Sequence, residues 1–388
     1  MKVAYVGDFI NHGKSLPTVG TSMVILLSLL DGVESIDVYC PEENKDKEEF
    51  EVPPKVRLLE SYRYDDVKSI FSLLKKPWNK YGAVIFNMLP TGFGKETLAN
   101  AAALSIPILL VKIFGLNNIR VIYHNSVFTN DVRTLGYNSP YDKVRSFFLG
   151  IVERILFRNV NSFVLLDLYK NRIDETIGKN KVHVLKASYL EAIITLYINK
   201  KMNVEFLDVE AKAIPTVLMH GSWGPQKNIE MGLSALKKVK ESGMNFRLVI
   251  SGGINHHFLE YEKKFRELLL SYSDIIDEYL GPVEEKDIMR IFLEASLLIL
   301  PYNTPGGHSG VMEQAIFFQV PTIAIDFPEY REQADGISAV KFVHSNSLSS
   351  MIINCLQSTA SIKKVSVSDK ISLSLNNVQH LLETNILE

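Results

Sequence analysis

Short apolar runs alternate with longer segments of helical spacing along most of the chain. Runs of about four to six residues predict buried parallel strands, and segments with apolar residues at i, i+3 and i+4 predict helices. The predicted strands cover 3–6, 36–39, 56–59, 83–86, 120–123, 162–166, 182–185, 216–219, 247–251, 275–280, 297–300, 322–325 and 339–343. The predicted helices cover 22–30, 228–241, 258–270, 284–294, 348–357 and a segment from Ser309 to Val320. This alternation is typical of α/β proteins with open parallel sheets.

The alternation weakens between residues 188 and 213, and Pro215 begins a second series of strands and helices. We therefore predict two Rossmann-like domains, residues 1–200 and 201–365, followed by a C-terminal segment, 366–388. In such sheets ligands bind beyond the carboxyl ends of the strands, so we expect an active cleft between the two domains.

Composition and charge exclude several classes of protein. The chain has 388 residues, of which 46% are hydrophobic and 22% are charged, as in an ordinary globular enzyme. A net charge of −2 gives no support for nucleic-acid binding through a basic surface. The two cysteines, Cys40 and Cys355, exclude a cysteine-rich zinc site or disulfide scaffold and indicate a reducing compartment. The first residues, MKVAYVGDF, predict a strand rather than a signal peptide, and we expect a cytoplasmic protein.

The stretch from Leu297 to Asp326 has the order strand, glycine loop, helix. Its loop contains glycines at 306, 307 and 310 and the hydroxyl of Ser309. Because the N–H groups and the dipole of a helix start point into such a loop, the stretch predicts an anion site. Glu313 lies one turn inside the helix. The alternative is a plain βαβ unit with a glycine turn.

Four segments in register resemble a known family. They are HGSWGPQKNIEMGLSAL (220–236), FRLVISGG (246–253), YLGPVEEKDIMRIFLEASLLILPY (279–302) and SGVMEQAIFFQVPTIAID (309–326). Together they resemble the nucleotide-sugar-binding domain of retaining glycosyltransferases of the GT-B fold, family 4, over residues 215–335. The first half is similar more loosely, through its early glycine loop and VIYHNS (121–126).

The resemblance implies two Rossmann-like domains facing a central cleft, with the 366–388 helix packing back on the first domain. It implies transfer of a sugar, with retention, from a nucleoside-diphosphate donor to a glycan, lipid-linked or small-molecule acceptor. The donor is a substrate, and no cofactor is implied. Charge grows on the leaving diphosphate, so cations and preorganised N–H groups aimed at it would carry most of the catalysis. A metal is not required if Lys227 and helix N–H groups neutralise that charge.

Residue by residue, the resemblance gives each position a role. Lys227 would supply the cation, Glu313 would bind the ribose, and His124, after strand 120–123, would contact the transferred sugar. Tyr302 would line the sugar or acceptor side, and main-chain groups near Gly253 and Val283 would hold the base. The catalytic residues implied are His124, Lys227 and Glu313, and the nucleotide-sugar site implied comprises Gly20, Gly221, Ser222, Gly253, Val283, Tyr302, Gly307, His308, Ser309, Gly310 and Val311.

Two departures from the family pattern leave alternatives open. The family often has a glutamate where this chain has Pro305 and an arginine where it has Ser222. Each departure removes an expected contact to the donor. One alternative is therefore a non-catalytic GT-B protein that binds a nucleotide sugar, and another is a GT-B sugar-nucleotide epimerase.

Two segments, 67–81 and 141–159, are candidates for peripheral contact with the inner face of a membrane. Both combine apolar and aromatic residues with lysine or arginine, as interfacial helices do. The alternative for each is a helix packed on its own sheet.

Overall fold

The structure is a computed structural model that describes residues 1–7, 9, 15–42, 52–90, 92–94, 96–128, 140–185, 214–255, 258–304 and 307–358. The chain divides into two compact units, whose described parts are residues 1–185 and 214–358. The predicted boundary near residue 200 and the predicted C-terminal helix of residues 366–388 lie outside the described residues. Both remain predictions.

The first unit is a seven-stranded sheet with helices. Its strands are β1 (Lys2–Val6), β2 (Ser35–Pro41), β3 (Val56–Tyr62), β4 (Ala83–Met88), β5 (Ile119–Tyr123), β6 (Asn161–Val164) and β7 (Val182–Val184), and its helices are α1 (Ser15–Leu29), α2 (Val67–Phe71), α3 (Thr97–Lys112), α4 (Pro140–Asn159) and α5 (Asp167–Ile177). All strand pairs are parallel, in the order β3-β2-β1-β4-β5-β6-β7. The order reverses between β1 and β4, and every residue of β4 is buried, as helices on both faces require.

The second unit is a six-stranded parallel sheet. Its strands are β8 (Thr216–His220), β9 (Arg247–Ser251), β10 (Glu278–Tyr279), β11 (Leu297–Leu300), β12 (Thr322–Ile325) and β13 (Val340–Val343), and its helices are α6 (Ile229–Glu241), α7 (Tyr261–Ser271), α8 (Glu285–Glu294), α9 (Gly310–Phe317), α10 (Pro328–Gln333) and α11 (Leu348–Ser358). The order β10-β9-β8-β11-β12-β13 reverses between β8 and β11. Those two strands lead directly to Lys227 and Tyr302, so both residues lie at the position where such sheets bind ligands.

The α/β class and the two Rossmann-like folds are confirmed, two local predictions are wrong, and one short helix is additional. Helix α1 begins at Ser15 instead of Ser22, so the predicted loop residue Gly20 lies inside it. Pro17 lies in the first turn of this helix, a position with which proline is compatible. The strand predicted at 275–280 is reduced to the two residues of β10. Helix α10 has six residues, too few for a periodic pattern, and was not predicted.

Segment 67–81 packs in the core of the first unit, which favours the alternative of a segment packed on its own sheet. Ile70, Leu73 and Trp78 are each no more than 2% exposed. The indole N–H of Trp78 donates to the carbonyl of Leu73 at 2.8 Å, and the ring lies against Tyr39 and Phe86. These three of the apolar residues that suggested an interface hold the segment against its sheet, and Phe71 is 37% exposed. Among the described helices, we find none with the length and apolarity needed to span a bilayer.

Candidate nucleotide-sugar site

The loops after β8 and β9 approach each other at two glycines. Gly252 has φ +102°, and a Cβ placed on it would lie 1.8 Å from the carbonyl oxygen of Gly221. No side chain fits at that distance, and the positive φ itself favours glycine. The N–H of Gly252 donates to the carbonyl of Gly281 at 2.6 Å. The two loops and the turn after β10 therefore form one continuous rim at the carboxyl edge of the sheet.

The residues predicted to hold the base lie together on this rim. A Cβ on Gly253 would lie 3.0 Å from Cγ of Pro282, the residue before Val283. The carbonyl of Gly253 accepts a hydrogen bond from the N–H of Trp223 at 2.8 Å. Trp223 is itself buried, so the rim is anchored to the core of the second unit.

Lys227 is held over the loop that follows β11. It ends a short 3₁₀ turn, Pro225–Lys227, and its Nζ lies 3.7 Å from the centroid of the Tyr302 ring. Contact between an ammonium group and an aromatic face is favourable, and more so where water is excluded. Asn303 fixes the turn, since its N–H donates to the carbonyl of Gln226 at 3.1 Å and its Nδ2 donates to that of Pro225 at 3.2 Å. The structure therefore directs the predicted cation onto Tyr302 instead of into bulk solvent.

Gly221 lies between Tyr302, whose ring contacts Lys227, and the start of α9. A Cβ on Gly221 would lie 3.6 Å from the Tyr302 hydroxyl and 4.0 Å from Cγ2 of Val311. Four of the predicted residues thus meet around one glycine turn: Gly221, Lys227, Tyr302 and Val311. Ser222, the next residue, is half-buried on the same turn.

His220, at the end of β8, is a site residue that the sequence reasoning missed. Its Nδ1 lies 2.8 Å from the hydroxyl oxygen of Ser251. Burial and the charge of Lys227 lower the pKa of His220 to about 4. The imidazole is therefore neutral at physiological pH, and it adds no charge beside the lysine. In the sequence, the position of this histidine at the end of an apolar strand could have indicated that it belongs to the site.

At the start of α9, Ser309 already has hydrogen-bond partners. Its hydroxyl oxygen accepts the N–H of Met312 at 3.3 Å, as an N-cap does. Its N–H donates to Oε1 of Gln333 at 3.0 Å, and Nε2 of Gln333 donates back to the Ser309 carbonyl at 2.8 Å. The Gln333 amide therefore already binds the Ser309 N–H, and a diphosphate would have to compete with it for that donor. Gly310 and Val311 are the next first-turn residues, whose N–H groups have no partner within the helix.

Glu313 is almost completely buried in the first turn of α9, at 3% exposure. Its Oε1 lies 3.1 Å from Nε2 of His308, so the two predicted residues form a pair. The loop before them has a left-handed residue at Gly307, with φ +98°. A ribose hydroxyl that bound this carboxylate would compete with the imidazole of His308. Pro305 and Gly306 lie outside the described residues.

In the first unit, His124 lies at the carboxyl edge of the sheet, as predicted. Its N–H donates to the carbonyl of Met88 at 2.8 Å, and its Nε2 lies 2.7 Å from Oδ1 of Asn87. Asn87 is buried in β4, where a Cβ on Gly7 would approach its own Cβ to 3.1 Å. The ends of β1, β4 and β5 thus converge on the amide that orients the imidazole. In the sequence, Asn87 is a polar residue within the apolar run of β4, and this could have indicated its role.

Glu153 of α4 fastens the loop that follows His124. Its carboxylate accepts hydrogen bonds from the hydroxyl of Tyr123 at 2.7 Å, from the hydroxyl of Ser126, and from the N–H of Val127 at 3.1 Å. Burial raises the pKa of Glu153 to about 7, against the lowering effect of these hydrogen bonds. The side chain was not predicted as functional, although its helical phase places it on the same face as Leu149 and Leu156.

This buried carboxyl predicts a pH dependence of stability. The folded chain holds the Glu153 proton to about pH 7, whereas an unfolded carboxyl releases it near 4.5. Its contribution to stability is therefore complete below the unfolded pKa and lost as the pH rises through the folded one. We expect the unfolding free energy of the native chain to fall by roughly 3 kcal/mol more than that of Glu153→Gln over this window.

Urea denaturation at several pH values between about 4.5 and 7.5 measures the effect. Glu175→Gln, an exposed glutamate on α5, is the control and should keep the native dependence. Equal slopes for the native chain and Glu153→Gln would contradict a buried, protonated Glu153.

Within the described residues, no three side chains of His, Cys, Asp or Glu lie close enough to hold a metal ion. The predicted site residues of this unit include a cation, Lys227, and an acidic side chain, Glu313, which is paired with His308. The arrangement can bind an anion at Lys227 and the start of α9, and it presents main-chain groups at Gly253 and Val283 to a flat ligand.

Comparison with known proteins agrees with this geometry. Residues 214–358 match the family model described as glycosyl transferases group 1. A search of curated proteins finds no match. The fold is similar to that of a sucrose-phosphate synthase from Thermosynechococcus elongatus, at 12% identity and a TM-score of 0.66 over 99% of this chain and 94% of that chain.

Two further structures are similar over almost the whole chain. One is HepE of Anabaena, solved in complex with UDP-glucose, at 11% identity and a TM-score of 0.62 over 100% of this chain and 95% of that chain. Another is a Listeria monocytogenes protein provisionally described as a UDP-N-acetylglucosamine 2-epimerase, at 12% identity and a TM-score of 0.56 over 97% and 94% of the two chains. The chain therefore has the two-domain α/β fold of the GT-B glycosyltransferases and carries, over residues 214–358, a segment that matches the group 1 glycosyl transferases.

Proposed function

We propose that this protein is a retaining glycosyltransferase that moves a sugar from a nucleoside-diphosphate donor to an acceptor hydroxyl. The observation that carries the proposal is the position of Lys227. Its ammonium lies over Tyr302 where the strand order of the second sheet reverses, beside the Gly221 turn. This geometry lies inside the segment that matches the group 1 glycosyl transferases.

The diphosphate is the group that this site has to stabilise. When the bond to the sugar breaks, negative charge grows on the departing phosphate oxygen. In our proposal the ammonium of Lys227 and the N–H groups of Gly310 and Val311 bind that charge. Their positions are set before the reaction, so little reorganisation is needed as the charge develops. No metal ion is needed in this scheme, because the lysine and the helix start supply the positive potential.

The nucleoside would extend away from Lys227 along the rim. Main-chain groups at Gly253 and Val283 would hold the base, and Glu313 would accept hydrogen bonds from the ribose in competition with His308. Ser222, Gly307 and His308 would complete the donor side.

Retention follows if the acceptor attacks from the face on which the diphosphate leaves. The bond between the anomeric carbon and the phosphate oxygen breaks, and a bond from that carbon to the acceptor oxygen forms. The acceptor proton passes to the departing phosphate. His124 of the first unit would contact the transferred sugar, and its hydrogen bond to Asn87 would fix the orientation of the ring.

A panel of sugar nucleotides tests the proposal. UDP-glucose is the first donor to try, since the Anabaena neighbour was solved with it. We expect slow release of the nucleoside diphosphate from one donor in water and faster release with an acceptor glycan or lipid-linked sugar. The anomeric configuration of the product, read by proton NMR, should equal that of the donor. Inversion, or binding of no donor at all, would overturn the assignment.

A sugar-nucleotide epimerase is the competing function that one observation favours, namely the Listeria neighbour. An epimerase converts its donor into a stereoisomer when no acceptor is present, and the same NMR experiment would detect that product. A protein that binds a donor without any turnover would fit the non-catalytic alternative. Ser222 and Pro305, where the family pattern is absent, motivate that alternative.

We also propose that the protein acts in the cytoplasm, in peripheral contact with the inner face of the membrane. Cys40 and Cys355 are both thiols, which fits a reducing compartment. A lipid-linked acceptor would explain why a glycosyltransferase needs that contact.

A further inference from the structure

Helix α4 is apolar on two opposite faces. Its inner face packs Leu149, Leu156 and Phe157 into the core of the first unit. Its outer face carries six large apolar side chains that are between 44% and 82% exposed: Tyr141, Val144, Phe147, Phe148, Ile151 and Ile155. With 3.6 residues per turn these six fall within roughly 120° of the helix circumference, directly opposite the inner face.

Such a face is unusual on a globular protein. Single exposed apolar side chains are common and need no explanation. Six on one helix face form a contiguous patch, and patches of that kind mark sites that bind a partner or a membrane. The segment after α3 carries two further exposed apolar side chains, Ile113 and Phe114, at 69% and 55% exposure. Burying this face against its own sheet would require turning the helix by half a revolution, and Glu153 prevents that.

The charges beside the patch indicate what covers it. Lys143 and Arg154 are exposed along one edge, and Arg145 lies on the other edge. The two acidic residues of the helix, Asp142 and Glu153, fall on its inner face by helical phase, although the chain as a whole carries a net charge of −2. A second copy of α4 would bring two basic edges together, which costs free energy. An anionic lipid surface complements both the apolar face and its basic edges.

We propose that α4 lies in the interface of an anionic phospholipid membrane, with its outer face in the acyl boundary. The basic edge residues Lys143 and Arg154 would sit at the level of the phosphate groups. The helix has 20 residues, so it would lie in the membrane plane over about 30 Å. This surface is separate from the donor residues of the second unit, and lipid binding needs no sugar nucleotide.

Flotation of the full chain with lipid vesicles tests the proposal. We expect binding to vesicles of phosphatidylcholine with one third phosphatidylglycerol, weaker binding to phosphatidylcholine alone, and loss of the difference at high salt. The double variant Phe147→Glu, Phe148→Glu should bind the anionic vesicles roughly a hundredfold more weakly.

Two further variants separate the apolar from the electrostatic contribution. Lys143→Gln with Arg154→Gln should weaken binding about tenfold on anionic vesicles and leave binding to neutral vesicles unchanged. Leu270→Glu, at another exposed apolar position (74%) on α7, is the matched control and should bind like the native chain. Circular dichroism and thermal melting establish that each variant is folded.

Three outcomes would overturn the proposal. The first is no binding of the native chain to either kind of vesicle. The second is equal binding by the native chain and the Phe147, Phe148 variant. The third is a native dimer in light scattering that the same double variant converts to monomers without any lipid binding, which would assign the face to a second copy of this chain. Because every readout is lipid binding or mass, none of them depends on the proposed transferase activity.

Discussion

Replacing Lys227 with alanine is expected to lower donor affinity and turnover by roughly a hundredfold each. The ammonium is the cation that the structure holds beside the Gly221 turn, over the ring of Tyr302. Its loss leaves the developing charge of the diphosphate to the helix start alone. Isothermal titration with the donor found in the panel, together with the rate of diphosphate release, measures both effects. Lys238→Ala, an exposed lysine on the adjoining α6, is the matched control.

A second readout tests the position of the lysine without any enzymatic assay. The charge of Lys227 contributes, after burial, to the low pKa of His220. In Lys227→Ala the pKa of His220 should therefore rise, and NMR titration of the imidazole would detect the change. If the pKa of His220 rises but donor binding is unaffected, Lys227 lies near His220 as the structure shows, but it does not bind the diphosphate. If the pKa of His220 does not move, the lysine is elsewhere in solution.

Among glycine-to-alanine substitutions at the described glycines of the second unit, Gly252→Ala should reduce the free energy of unfolding most. The new Cβ would lie 1.8 Å from the carbonyl oxygen of Gly221, at φ +102°. The residue must then give up its conformation or separate the loops after β8 and β9. We expect a loss of about 3 kcal/mol or more in the free energy of unfolding, measured by urea denaturation.

Gly243→Ala is the control that isolates the backbone contribution. Gly243 also has a positive φ, +87°, but a Cβ there would meet nothing within 4 Å. Its substitution should cost about 1 kcal/mol, from the left-handed conformation alone. Similar losses in the two variants would mean that the close approach of Gly221 and Gly252 is absent. A soluble, folded Gly252→Ala that still binds donor normally would show that the rim tolerates rearrangement.

The elements of the second unit were predictable because their signals are local. Strands β8, β9, β11 and β12 are short apolar runs, and the glycines between them and the helices are visible in the sequence. The position of Lys227 near β11 also follows from strand order, since parallel strands place their following loops at one edge.

The partners of the site residues were less predictable, because they come from distant parts of the chain. Gln333 reaches Ser309 from α10, a helix of six residues that leaves no periodic signal. The pairing of His308 with Glu313 depends on the path of one loop, which spacing does not define. Glu153 had a readable signal, a carboxyl at an inward helical position, but only the structure shows which loop it holds.

The two predicted membrane segments also show that composition does not determine which side chains are buried. Segments 67–81 and 141–159 have similar compositions, with apolar, aromatic and basic residues interleaved. The aromatic ring of Trp78 in the first is buried beneath Tyr39, whereas Phe147 in the second is exposed. Composition alone does not determine which side of an amphipathic segment meets the sheet.

The lengths of the border strands in the second sheet have a consequence for solubility. At one border β10 has only two residues, and its Glu278 is held in an ion pair with Arg247. At the other border β13 has four residues and turns the side chain of Lys341 to solvent. A strand of another molecule could form few backbone hydrogen bonds with either border and would meet a charged side chain there. We expect the second sheet to resist fibrous, strand-to-strand association through these two borders at high concentration.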